Sequence, residues 1–205
     1  MLLHVTNNFF YKESYFMGRP ISKLESIENS AIKLFAEKGI IGTSIREIAI
    51  EAGCSDGALY KHYKSKDEMA WILYKREVEA FGKNLKHIYD SQESYERKLY
   101  TGIGVFYKFY DDHPVKYNFI VLSQHSFPRE YLVEESLNPY FLLSNLLNRG
   151  IDANMIRVED LQLTVALLYG LILQPTMLKA TNRLDGKMQD KTEAVFKACI
   201  KILTG

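Results

Sequence analysis

An all-α fold is predicted for this chain, with a three-helix N-terminal head and a larger C-terminal helical body. Three observations predict it. Apolar residues recur at steps of three and four from Ser22 onward, strand-like alternation is nearly absent, and only 12 glycines and 5 prolines punctuate the 205 residues. Steps of three and four keep side chains on one face of a helix, so each run specifies a helix with a buried stripe.

Leu24, Ile27, Ala31, Leu34 and Phe35 form the first stripe, which Gly39 ends after Lys38. Ser44 and Glu47 have capping-box spacing and open a second helix, carried by Ile45, Ile48, Ala49 and Ala52 and closed by Gly53. Cys54 and Ser55 make a tight turn, and residues 56–63 are predicted to form a third short helix with Ser55 as N-cap. Ser65 and Glu68 predict another capping box and a long helix to about residue 88. Helices are then expected at 95–111, 114–125, 128–149, 158–181 and 187–203, with Pro114 and Pro128 at helix starts.

Bulk properties narrow the class. A hydrophobic share of 47% supports a sizeable core, and a net charge of +1 argues against a polybasic coat for nucleic acid or membrane. It leaves room for a basic patch on one small domain. Cys54 and Cys199 offer neither a disulfide framework nor metal-ligand spacing, so a reducing cytoplasm is expected, with no metal and no cofactor. Residues 1–16 lack the features of a signal peptide. Gln162, Thr164, Gln174 and Pro175 interrupt the apolar stretch 161–178, whose clean core is read as too short for a bilayer and as a buried helix of a core or interface.

Two short helices joined by a tight turn, after a longer one, make the pattern of a helix-turn-helix. Such a short helix can lie in the major groove of duplex DNA and present its leading side chains to base edges. Its free N–H groups favour a nearby phosphate. Gly57 lets the backbone approach closely, Tyr60 and Lys61 project from the same segment, and Lys64 and Lys66 follow.

The run at 42–69, GTSIREIAIEAGCSDGALYKHYKSKDEM, resembles the signature of the TetR/AcrR family of regulators, and SKLESIENSAIKLFAEKGI before it resembles that family's first helix. The resemblance implies a homodimer that binds pseudo-palindromic double-stranded operator DNA through two heads, with repression as the default. It also implies release by a small, mostly apolar or aromatic effector held in the body. Thr43 and Ser44 resemble a phosphate-contacting cap, Arg46 a position that reaches DNA, and Lys66 a phosphate clamp. Ser55, Asp56, Gly57, Tyr60, Lys61 and His62 lie on the recognition segment. Asp56 departs from the family, where Lys, Arg or Gln is common; a carboxylate there can accept from cytosine N4, cap the helix or pair with a cation. Met17 looks like a normal family start, with Arg19 and Lys23 as a short basic arm. The expected organisation is therefore an extra arm or mis-start at 1–16, a DNA-binding head at 17–66, and a ligand-binding and dimerisation body at 67–205.

An aromatic share of 13% makes a roomy apolar cavity plausible in the body. The candidate lining is Phe106, Phe109, Tyr110, Phe119, Gln124, His125 and Tyr169, with Arg129 as a further polar anchor. Val165, Leu168 and Ile172 on one late helix and Val195, Phe196 and Cys199 on the last are expected to form a four-helix dimer seam. The 95–111 helix and the long helix are expected to carry a signal to the head. A second reading keeps DNA binding and drops the effector, acting through DNA architecture or partner proteins. No catalytic residue is expected: the five histidines have no zinc spacing, no G-x-S-x-G, P-loop or dinucleotide fingerprint occurs, and the Asp111, Asp112, His113 cluster reads as a helix end.

Overall fold

The computed structural model describes residues 21–127 and 135–204. The arm or mis-start at 1–16, the start at Met17, Arg19, the helix start at Pro128 and the anchor Arg129 lie outside the described residues. Among the described residues the chain is all-α, with no strand. The helices are α1 Lys23–Lys38, α2 Ile45–Glu51, α3 Asp56–Tyr60, α4 Lys66–Tyr89, α5 Tyr95–Asp112, α6 Pro114–Ser123, α7 Pro139–Asp152, α8 Leu161–Ala180 and α9 Thr192–Thr204. Short 3₁₀ turns occupy Glu135–Leu137 and Gln189–Lys191.

Capping chemistry sets most boundaries. The Ser44–Glu47 box forms in full: the Ser44 hydroxyl accepts from the Glu47 N–H at 3.2 Å, and the Glu47 carboxylate accepts from the Ser44 N–H at 2.8 Å. Lys38 donates to the same carboxylate at 2.8 Å, clamping the end of α1 to the start of α2. The second expected box forms only in half, because Glu68 reaches the Lys64 N–H rather than that of Ser65. Four helices begin or end three or more residues from where expected, α8 starting at Leu161 rather than 158 and α9 at Thr192 rather than 187. Helix α3 stops at Tyr60: the His62 N–H tightens onto the Leu59 carbonyl three residues back, and the Lys64 N–H goes to the Glu68 carboxylate rather than back to Tyr60. Helix α7 begins at Pro139, with Asn138 capping the Tyr140 N–H at 3.0 Å.

The Lys38 hydrogen bond, followed by those from Ser44, lowers the Glu47 carboxyl from 4.5 to about 2. A depressed folded-state value stabilises the head fully above the ordinary 4.5, and that contribution is lost as pH falls towards about 2. The melting temperature of Glu47→Gln should therefore fall less steeply with acid over this window than that of the wild type, as followed by circular dichroism.

The head core contains Ile27, Ala31 and Phe35 of α1, Ile48 and Ala49 of α2, Leu59 of α3, and Met69 and Leu73 of α4, all buried. Phe119 of α6 completes it, stacking on Phe35 at 5.9 Å and meeting Tyr74 edge-on at 6.3 Å. The expectation that Phe119 lines a ligand cavity is thereby corrected: α6 packs across α1, so the ring is aimed into the head.

The body core is built around α5, whose Leu99, Ile103, Phe106 and Tyr107 meet residues of α4, α7, α8 and α9. Helix α5 thus sits in the middle of the body, and it is α6 and α4 that pack on α1. At the end of α5, Asp111 accepts the N–H groups of Met188 and Gln189 at 2.9 and 3.0 Å, and Asp112 pairs with Lys108 at 2.6 Å. Those acidic groups are engaged in holding helix ends.

Helix α8 is apolar on every side and continues through Pro175. With 20 residues and a mean hydropathy of 1.5 it is long and apolar enough to cross a membrane, contrary to the expectation that its polar residues shorten it too far. Val165, Leu168 and Ile172 are buried in the chain's own core, as are Cys199 and Leu203 of α9. The expectation that these side chains form a dimer seam is thereby corrected: they are packed against their own chain and not offered to a second copy. Val195 and Phe196 are half-buried, and Phe196 packs edge-on against Tyr100 at 5.4 Å. The outward face of α8 carries Leu163 and Leu167, 57% and 50% exposed, with Leu178 and Ile202 of α9 beside them. A groove of about 670 Å³ runs along this face.

Candidate nucleic-acid interface and body cavity

The turn between α2 and α3 is fixed by backbone geometry. Gly53 has φ 61, the left-handed conformation in which a side chain is disfavoured. The Cys54 N–H returns to the Ala49 carbonyl at 2.8 Å. Lys23 Nζ donates to the Gly53 and Ala52 carbonyls at 2.6 and 3.3 Å. Lys23 therefore caps α2 and is not a free member of a basic arm.

With Leu59 buried as its anchor, α3 presents its other side chains outward. Ser55, Asp56, Gly57, Lys61 and His62 are exposed, and Tyr60 is 58% exposed. Arg46 of α2 is exposed on the preceding helix. Ser55 has the extended backbone of an N-cap, but its hydroxyl makes no capping hydrogen bond, so the expected side-chain cap is absent. Asp56 opens α3 with no partner among the described residues, which leaves its carboxylate free to read a base.

Thr43 must be corrected. Its side chain is 2% exposed, and its hydroxyl is held 2.8 Å from the Gly39 carbonyl and 3.2 Å from that of Leu34, so it cannot reach a phosphate. Ser44 is exposed, with its hydroxyl engaged by Glu47. Lys66 is half-buried and donates to the Thr43 carbonyl at 2.7 Å. One of its three N–H donors is thus spent tying α4 to the α1–α2 turn.

Gly57 allows the close approach expected of it. A Cβ there would meet only the Ser55 Oγ, at 3.9 Å. Gly57→Ala should leave the melting temperature unchanged or slightly higher, since alanine favours helix by roughly 0.5–1 kcal/mol. It should weaken duplex binding about tenfold if this backbone lies against DNA, as measured by fluorescence anisotropy.

The body holds a cavity of about 720 Å³ between α4, α6, α7 and α8. Gln124, His125 and Tyr169 line it, as expected. Phe106, Phe109 and Tyr110 do not: they are buried in the packed core behind it. Phe106 and Phe109 lie against Phe81 at 4.8 and 5.1 Å, and Tyr110 against Tyr117 at 5.2 Å. Their apolar face was legible, but its neighbours were not. Tyr74, Asn138, Tyr140 and Gln174 complete the polar lining. Gln174 carried a usable signal, an amide in the middle of a largely apolar helix.

Residues 27–70 match the sequence pattern of the bacterial regulatory proteins of the tetR family. An HTH-type transcriptional regulator of Staphylococcus aureus is 32% identical over 89 residues, which cover 43% of this chain and 48% of that protein. The chain thus spans under half the length of the curated relatives it matches. Among solved structures, the transcriptional regulator FadR from Bacillus subtilis, in complex with stearoyl-CoA, is similar with a TM-score of 0.72 at 20% identity, covering 88% of this chain and 99% of that one. A regulatory protein in the tetR family from Rhodococcus is similar with a TM-score of 0.75 at 16% identity, covering 89% and 97%. At these identities the structures speak for a shared fold.

Proposed function

We propose, on the premise that residues 27–70 match the pattern of the bacterial regulatory proteins of the tetR family, that the chain is a ligand-responsive transcriptional regulator. In this reading it is a cytoplasmic homodimer that binds pseudo-palindromic operator DNA, acts as a repressor and is released by a small effector. The observation that carries it is the exposed run from Ser55 to His62, held off the head by the buried Leu59 and by the Gly53 turn. Side chains exposed on a rigid short helix, with cations at Arg46, Lys61 and Lys64 around it, suit a major groove flanked by phosphates.

The division into a head at 17–66 and a body at 67–205 is part of this proposal, with α4 shared between them. The effector is assigned to the cavity between α4, α6, α7 and α8, where a molecule that prefers one head spacing shifts the population away from DNA. Because α6 and α4 both touch the cavity and both pack on α1, they are the route assigned to that shift. The stearoyl-CoA complex of the Bacillus subtilis protein supports an effector site in this fold.

Capture of genomic fragments by the full chain, followed by footprinting, tests the reading. The expected result is a two-fold symmetric site with half-sites about 34–36 Å apart or a multiple of that, and affinity that falls with salt. Asp56→Asn and Lys61→Ala should change which sequences are recovered, while Lys66→Ala weakens all of them alike. Recovery of random sequence by every variant would refute the assignment.

A further inference from the structure

The body cavity contains chemistry that a merely apolar effector leaves unused. Tyr74 lines it while only 7% exposed, and Tyr169 lines it from α8. Among the other buried phenols, Tyr63 donates to Glu28 and Tyr117 lies 3.1 Å from the Thr176 hydroxyl, while the hydroxyls of Tyr95 and Tyr107 are buried without a partner and do not line the cavity. The hydroxyls of Tyr74 and Tyr169 have no hydrogen-bond partner among the described residues. Their rings are packed in place, Tyr169 against Tyr140 at 5.8 Å and Phe106 at 6.1 Å, Tyr74 against Phe127 at 4.8 Å and Trp71 at 5.9 Å. Both stay protonated at neutral pH: burial pushes Tyr74 up to about 12, and burial followed by the nearby Tyr74 raises Tyr169.

The remaining described polar wall consists of Gln124, His125, Asn138, Tyr140 and Gln174, with no Lys, Arg, Asp or Glu. A hydrocarbon chain in this space would leave both phenols without a partner, which is costly in a buried wall. A carboxylate or phosphate would find no Lys or Arg in the described wall, with the His125 imidazole as the one group there able to take up a positive charge. Building on the effector reading, we infer that the cavity selects an uncharged ring compound bearing a hydroxyl or carbonyl oxygen, which the Tyr74 and Tyr169 hydroxyls bind. A volume of about 720 Å³ admits a molecule of two to four fused or linked rings, roughly the drug-like range. The ligand class therefore differs from the acyl thioester held by the Bacillus subtilis structure.

The test is calorimetric titration of the full chain with naphthalene, β-naphthol, β-naphthoate and stearoyl-CoA. It is run on the wild type and on the Tyr74→Phe, Tyr169→Phe double variant, with the single Tyr169→Phe variant as the comparison should the double variant lose its fold by circular dichroism. β-Naphthol is expected to bind about tenfold tighter than naphthalene or β-naphthoate, and the phenylalanine variants should lose that advantage while keeping their affinity for naphthalene. Equal binding of naphthalene and β-naphthol, tighter binding of β-naphthoate or stearoyl-CoA, or an advantage that survives in the variants would overturn the inference. Operator binding is followed in the same samples. Displacement of DNA by stearoyl-CoA would overturn the ligand class and leave the sensor reading standing. Binding of DNA with no uptake of any probe would overturn both.

Discussion

Leu167→Asp is expected to leave the protein monomeric at micromolar concentration and to weaken operator binding by about a hundredfold or more. Leu167 is 50% exposed on the outward face of α8, beside Leu163, Leu178 and Ile202. Each such side chain contributes about 1.5–3 kcal/mol when fully buried, and in a two-fold contact every position counts twice. Two tethered heads on one DNA gain about 10²–10⁴ in avidity over a single head, and separating the copies forfeits it. The change leaves the chain's own core untouched, because the buried face of α8 is formed by Val165, Leu168 and Ile172. Analytical ultracentrifugation and anisotropy on the same preparation check it. A dimer that persists, or a monomer with undiminished specific affinity, would remove α8 from the interface. A charge at Phe196 is the poorer probe, since that ring packs on Tyr100 within the monomer.

Phe119→Ala should cost about 3–5 kcal/mol, among the larger effects available to a single substitution here. The ring is fully buried and bridges Phe35 of α1 and Tyr74 of α4. Truncating it opens a cavity at the junction of head and body, where neither side can collapse without moving a helix. Urea unfolding measures the loss, and amide exchange should quicken in α1 as well as in α6. A loss below about 1 kcal/mol would be the behaviour of a cavity-wall residue and would restore the role first expected of Phe119.

The head was far more legible in the sequence than the body. Its signals are local: Ser44 with Glu47, and Gly39 and Gly53 at helix ends, are read from residues a few positions apart. The misreadings there concern partners distant in sequence, such as Lys23 at the end of α2 and Lys66 on the Thr43 carbonyl. The body's signals are non-local. Spacing shows that Val165, Leu168 and Ile172 share a face, yet α8 is apolar all round, so periodicity cannot tell which side meets its own chain and which a second copy. Aromatic content likewise announces a cavity without saying that Phe106 and Phe109 stand behind its wall while Tyr74 forms part of it.

Because Phe119 closes the hydrophobic centre of the three N-terminal helices, exchanging DNA specificity between regulators by splicing at residue 66 would sever a packing unit. A chimera built that way inherits one scaffold's Phe35 and another's α6. Successful grafts will keep the two matched, either by transplanting α6 together with the first three helices or by changing only the solvent-facing positions of α3.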